Sequence, residues 1–192
     1  MKSIFKKIIN EISKNRWIYI LFIISFVITL YFRNIHDYLA YVNEWKKIFN
    51  GENPFNAYGV FFNFFALPNA IHHKLPKIIF ILIYFFTISK LFKLFEQNNL
   101  IRIALLFNPI FWVFGVLLGS NDVFLASITL LSLITLMSQK NVVSGILLSI
   151  GITFKYTPLS ILPFLILKNK SLNIKLIIST LSTIVVVILL GF

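Results

Sequence analysis

The residues with chemistry to offer are few, and the acids among them are scarce. The chain carries six Asp and Glu against eighteen Lys and Arg. Asp37 follows the apolar run Trp17 to Phe32 almost at once, in Arg33-Asn34-Ile35-His36-Asp37-Tyr38. A carboxylate where a bilayer segment meets water can take the proton of a sugar hydroxyl or hold a metal. Asp is also a natural N-terminal cap, here for a helix over 38–49, and the roles are compatible because a capped carboxylate is a positioned one. The second acid is Asp122, in Gly119-Ser120-Asn121-Asp122 between two apolar runs. Ser120, Asn121 or Asp122 could cap a helix beginning at Val123. Lys155 stands at the apex of Lys155-Tyr156-Thr157-Pro158. It either finds an anion there, Asp122 or a lipid-linked phosphate, or lays its stem along apolar surface. Tyr156 adds a phenolic hydrogen bond. His72 and His73 form a small basic cluster with Lys74 and Lys77. Adjacent histidines point to different faces of a helix, which fits a head-group contact better than a metal. With no Cys, disulfide, thiolate and thiol-nucleophile chemistry are excluded. Neither a phosphate-binding glycine loop nor a serine-nucleophile motif is present.

The elements that hold these residues are apolar. The chain is 58% hydrophobic with mean hydropathy +0.89. Long apolar runs joined by short polar loops predict an all-α, polytopic transmembrane helical bundle. A single membrane domain over 1–192 contains about seven hydrophobic segments: 17–32, 78–95, 101–118, 122–138, 142–154, 157–167 and 175–192. Asn108-Pro109 kinks or breaks the third. Pro158 disfavours helix before it, so 142–167 reads as a hairpin with a turn part-way into the membrane. The outer loop, 33–77, has interfacial helices. Tyr38, Tyr41, Val42, Trp45, Ile48 and Phe49 fall on one face, with Asn43, Glu44, Lys46 and Lys47 opposite. Such a helix is expected to lie flat at the membrane surface, stopped by Asn50-Gly51. Tyr58 to Ile71, interrupted by Pro68, reads as re-entrant or interfacial.

The formal charge of +12 does not point to nucleic acid, because the basic residues edge the apolar runs instead of gathering on one polar domain. With the N-terminus in the cytoplasm, twelve of the eighteen Lys and Arg face inward, while Asp37, Glu44, Glu52 and Asp122 face outward. A multi-pass plasma-membrane protein with an extracytoplasmic site follows. The opening Met1-Lys2 with Lys6-Lys7 and the run behind it reads as a retained signal anchor.

The order of these features resembles a known family. Asp37 follows the first span, then Tyr41, Trp45, Gly51-Glu52-Asn53-Pro54-Phe55 and Tyr58. Asn108-Pro109 precedes Gly119-Ser120-Asn121-Asp122, and Gly145-Ile146-Leu147-Leu148 precedes Lys155-Tyr156-Thr157-Pro158. This resembles the GT-C superfamily of integral-membrane glycosyltransferases, nearest family 87 and the GPI mannosyltransferases. The resemblance implies a mannose-like hexose carried on a polyprenyl phosphate and moved to a glycan or lipid acceptor hydroxyl outside the cytoplasm. It implies that Asp37 is catalytic. Glu44 is the nearest candidate for a second acid of that loop. The candidate substrate contacts are Asp122, Lys155, Tyr156, Arg33, Glu44, Tyr58, His72 and His73, with Lys155, Arg33 or the histidines facing the leaving phosphate. No cofactor is implied; a divalent metal is compatible with the chemistry but not called for.

The resemblance covers nearly all of this chain but about the N-terminal half of a usual member. The apolar end, Leu189-Leu190-Gly191-Phe192, is expected to continue into a longer protein. A lipid-linked sugar transporter or flippase, with Asp37, Asp122 and Lys155 as pathway charges, is the alternative reading; a non-catalytic, truncated membrane subunit is the third.

Overall fold

A computed structural model describes residues 16–32, 36–52, 58–94, 99–168 and 171–190. The N-terminal basic segment, Arg33, Asn53-Pro54-Phe55 and Phe192 lie outside these residues. The described chain is all-α apart from a two-residue antiparallel β pairing, Leu167 with Leu172 and Lys168 with Ser171. Helix α1 is Arg16–Tyr31 and α2 is His36–Phe49. A 3-10 turn, Val60–Phe65, runs into α3, Ala66–Ile71. Helix α4 is Leu75–Leu94 and α5 is Asn99–Leu106, followed by a π-helical segment, Phe111–Leu118. Helix α6 is Asp122–Met137 and α7 is Asn141–Phe154. A 3-10 turn, Thr157–Ile161, leads to α8, Leu162–Ile166, and α9 is Ile174–Leu190.

Two stretches, Leu75–Leu94 and Leu100–Leu118, are long and apolar enough to cross a membrane; the other apolar helices have 10 to 17 residues. Helix α1 buries only the stripe Ile18, Leu21, Ser25 and Thr29, spaced for one helical face. Its remaining faces are apolar too, with Ile23 and Ile24 exposed, and Ile178 and Leu181 of α9 are exposed likewise. Apolar surface this extensive is covered by lipid or protein, not water.

The breaks fall at the sequence's punctuation. Pro109 has no N–H to give, and Asn108 Oδ1 accepts the Ile110 N–H at 3.0 Å as a local cap. Trp112 Nε1 donates across the break to the Leu106 carbonyl at 3.0 Å. Lys155 is extended, and Pro158 folds back to lie against Gly151. Gly145 sits near Leu176 and Ser179, and Ser149 Oγ donates to the Thr180 carbonyl at 2.8 Å. These pairings run in the same sense, so α7 and α9 are parallel. A Cβ at Gly145 would fall 1.9 Å from Ser179 Oγ, so this close approach requires glycine.

Helix α2 departs from the interfacial reading. Tyr38 and Trp45 are fully buried, and Tyr41 and Val42 nearly so. Their stripe meets Phe62, Phe65, Phe80, Phe124 and Phe154 in one aromatic core. Trp45 Nε1 donates to the Phe62 carbonyl at 2.9 Å. The amphipathic pattern was sound, but the apolar face is turned to the protein's own core and not to lipid. The physical reason is the 3-10 turn Val60–Phe65, whose phenylalanines supply the partner surface. Of the stripe, Phe49 is the exposed residue.

Candidate functional site

Several helix ends meet at one end of the bundle: the last turn of α1, the starts of α2, α4 and α6, and the last turn of α7. Side chains tie them together. Lys74 Nζ donates to the Leu30 carbonyl and, at 3.1 Å, to the Phe32 carbonyl, closing the C-terminal turn of α1. Lys77 is fully buried and its Nζ donates to the Leu117 carbonyl at 3.0 Å. A cation there satisfies an orphan carbonyl and suits the negative end of a helix. The Lys77 ammonium also lies 5.8 Å from the Tyr38 ring centroid. The Tyr38 hydroxyl donates to the His73 carbonyl at 2.8 Å and accepts from the Lys77 backbone N–H at 3.1 Å.

The turn 119–122 depends on this packing. Gly119 has φ +72, and a Cβ there would lie 2.9 Å from the Tyr38 ring and 3.0 Å from the Lys77 stem. The chain then enters α6. Ser120 Oγ accepts the Asp122 N–H at 3.2 Å and donates to Asp122 Oδ2 at 3.4 Å. The serine hydroxyl meets the helix end, so the Asp122 carboxylate is not consumed as a cap. It receives Lys155 Nζ at 2.7 Å. Residues 33 positions apart thus form one ion pair. Side-chain exposure is 36% for Lys155 and 64% for Asp122, so the pair faces open space. At such exposure it adds about 0.2–1 kcal/mol of stability.

Asp37 is exposed and lies inside the first turn of α2, which begins at His36. The cap reading for the carboxylate is therefore replaced: it is a first-turn acid, favoured by the helix dipole. One turn on, Tyr41 points inward. The Tyr41 and Tyr58 rings meet edge to face at 5.5 Å, and Tyr58 stacks on Phe62 at 4.5 Å. Burial, the Tyr58 hydroxyl and the charges of Asp37 and Asp122 all push the Tyr41 phenol above its usual range. Both carboxylates therefore act on the same phenol, Asp37 from α2 and Asp122 from α6. An apolar groove of about 450 Å³ runs from Ser120 and Asp122 between α4, the π-helical segment and α6, past Thr87, Phe111, Ala126 and Leu130.

The other sequence candidates fall elsewhere. Glu44 pairs with Lys47 at 2.8 Å on the outer face of α2. Tyr156 is exposed beside Lys155. His72 and His73 stack on one another, ring centroids 4.6 Å apart, and line a different hollow with Lys46 and Lys74. Lys77 has left that basic cluster for the bundle interior. Arg33 is outside the described residues. Among the described residues, no three His, Cys, Asp or Glu side chains are grouped to hold a metal.

Two contributors were not visible as such in the sequence. In the sequence Tyr41 belongs to the apolar stripe and to the order of family-like features, not to the candidate site residues, although its i, i+4 spacing from Asp37 places phenol and carboxylate on one face. Nothing in the spacing of Lys74 and Lys77 separates the surface lysine from the buried one.

No curated protein and no solved structure matches the chain significantly. The model of glycosyltransferase family 87 matches residues 58–192, more than half of the chain. That match takes in the turn 119–122, the Asn108-Pro109 break and the Lys155 turn. The chain belongs to glycosyltransferase family 87 and is a glycosyltransferase.

Proposed function

We propose that this glycosyltransferase moves a mannose-like hexose from a polyprenyl phosphate to an acceptor hydroxyl, at the extracytoplasmic end of a multi-pass bundle. The observation that carries the reading is the Lys155–Asp122 pair, held at 2.7 Å on the end of the bundle that also bears Asp37. In this mechanism Asp37 accepts the acceptor hydroxyl proton as the oxygen attacks the anomeric carbon. The bond from that carbon to the phosphate oxygen breaks, and the lipid phosphate leaves with its electron pair. A phosphate leaving group needs positive charge more than a proton. Lys155 has three N–H donors, one on Asp122, leaving two for phosphate oxygens. Asp122 keeps the ammonium at the mouth, and Tyr58, half-buried over Tyr41, supplies polar contact for the sugar. The groove beneath Asp122 takes the first isoprene units of the donor. The charge asymmetry of the loops supports this end being outside the cytoplasm.

The test is a transfer assay with polyprenyl-phosphate mannose and Asp37→Asn. The expected result is loss of turnover by at least about a hundredfold with unchanged melting temperature, the range for losing a general base. Undiminished turnover removes Asp37 from the mechanism. Protein-driven movement of the lipid-linked sugar across vesicles without transfer favours the flippase reading.

A further inference from the structure

A second hollow opens against α2. Its volume is about 750 Å³, and it lies between the exit of α1, the outer face of α2 and the turn after α3. Its polar lining is basic: Lys46, His72, His73 and Lys74, with Asn43 and Asn69. No carboxylate lines it, and Lys46 has no carboxylate partner among the described residues. Lys46 and Lys74 bring two positive charges to one space that no carboxylate lines, and the two imidazoles add hydrogen-bonding groups beside them. The like charges are close enough to be felt: with burial, His72, Lys74 and Lys46 hold the His73 imidazole below its ordinary range. His72 Nδ1 accepts the Lys74 backbone N–H at 3.2 Å, so its Nε2 carries a hydrogen available for donation.

The rim has a different character. Tyr31 is 83% exposed and Ile71 75% exposed, with Phe32 and Leu39 exposed between them. The hollow sits where α1, an apolar helix with most of its surface uncovered, comes to its end. A cationic centre ringed by exposed aromatic and aliphatic groups at a helix exit matches a phosphate attached to hydrocarbon chains. A free phosphate ion would gain the centre and leave the rim uncovered. None of the lining residues is shared with the groove below Asp122.

We propose that the hollow formed by Lys46, His72, His73 and Lys74 binds the phosphate of an anionic phospholipid headgroup, with its acyl chains against Tyr31, Phe32, Leu39 and Ile71. The site anchors α2, and with it Asp37, to the membrane surface. Binding is independent of transfer, so it is read without an activity assay.

The experiment uses the purified chain in neutral detergent, titrated with phosphatidylglycerol, phosphatidylcholine or inorganic phosphate and followed by native mass spectrometry. Phosphatidylglycerol is expected to bind at least about tenfold more tightly than phosphatidylcholine, and inorganic phosphate to compete only weakly. The double variant Lys46→Gln with His72→Gln should weaken phosphatidylglycerol binding by about tenfold, or about 1.4 kcal/mol. Asn43→Asp, which adds a carboxylate to an exposed position in the lining, should do the same. Lys47→Gln, on a lysine already paired with Glu44, should not. Both weakening variants alter exposed side chains, and a melting curve establishes that each is folded. Equal retention of the two lipids overturns the proposal, as does unchanged binding in both variants. Full displacement by equimolar inorganic phosphate overturns the lipid assignment.

Discussion

Neutralising Lys155 separates a catalytic cation from a structural one. In Lys155→Gln the ammonium is lost but most of the stem remains. The pair it leaves is solvent-facing, with Asp122 64% exposed. Loss of such a pair costs about 0.2–1 kcal/mol, and Asp122 is left in water, not buried without a partner. The melting temperature should therefore shift by a few degrees at most. The transition state is more sensitive. Removing one preorganised charge from a developing anion costs about 2.7–4 kcal/mol, a factor of about 10²–10³ in kcat. Asp122→Asn should do less, about tenfold, because it frees the ammonium without deleting it. Lys155→Arg should recover part of the activity by keeping the charge. The assay is single-turnover transfer from polyprenyl-phosphate mannose, run beside thermal denaturation of each variant. Turnover by Lys155→Gln within about threefold of the parent refutes the argument, and so does an activity loss that merely follows the folded fraction.

Gly119→Ala should destabilise the protein by about 2–4 kcal/mol, because a left-handed L residue costs about 1–2 kcal/mol and its Cβ would press on the Tyr38 ring at 2.9 Å. An unchanged melting temperature would show that the turn relaxes without cost. Ala126→Trp places a bulky side chain in the groove below Asp122 and should raise the KM for a long-chain donor while sparing a short-chain one. Equal effects on both donors would remove the groove as the tail site. His73 should titrate below 6.5 in an NMR pH series, since burial and three basic neighbours disfavour its charged form. The unfolded chain takes that proton first as pH falls through 6.5, so this group lowers stability on the acid side, and His73→Gln should flatten that loss. Titration of His73 at or above 6.5 would refute the crowding of charge around it.

What the residues alone determine is local. The helical stretches follow from long apolar runs, which must satisfy their backbone groups internally. The breaks at Asn108-Pro109 and Lys155-Tyr156-Thr157-Pro158 follow from a missing N–H and the restriction before proline, whereas the left-handed turn at Gly119 is seen only in the fold. Asp37 and Asp122 stand out because acids are rare in this composition. The amphipathic stripe of α2 is legible as well, down to the residues on each face. None of this says which surface the stripe meets. A pattern of apolar positions is the same whether lipid or Phe62, Phe65 and Phe154 covers it, and only the packed bundle distinguishes the two. The burial of Lys77 beside the exposure of Lys46 has the same origin, because each lysine's environment is built by segments remote in the chain. The union of Asp122 with Lys155, the approach of Asp122 to Tyr41, and the gathering of Lys46 with His72, His73 and Lys74 are all long-range pairings. Periodicity carries no information about them. They arise when antiparallel helices bring segments remote in the chain to one end of the bundle.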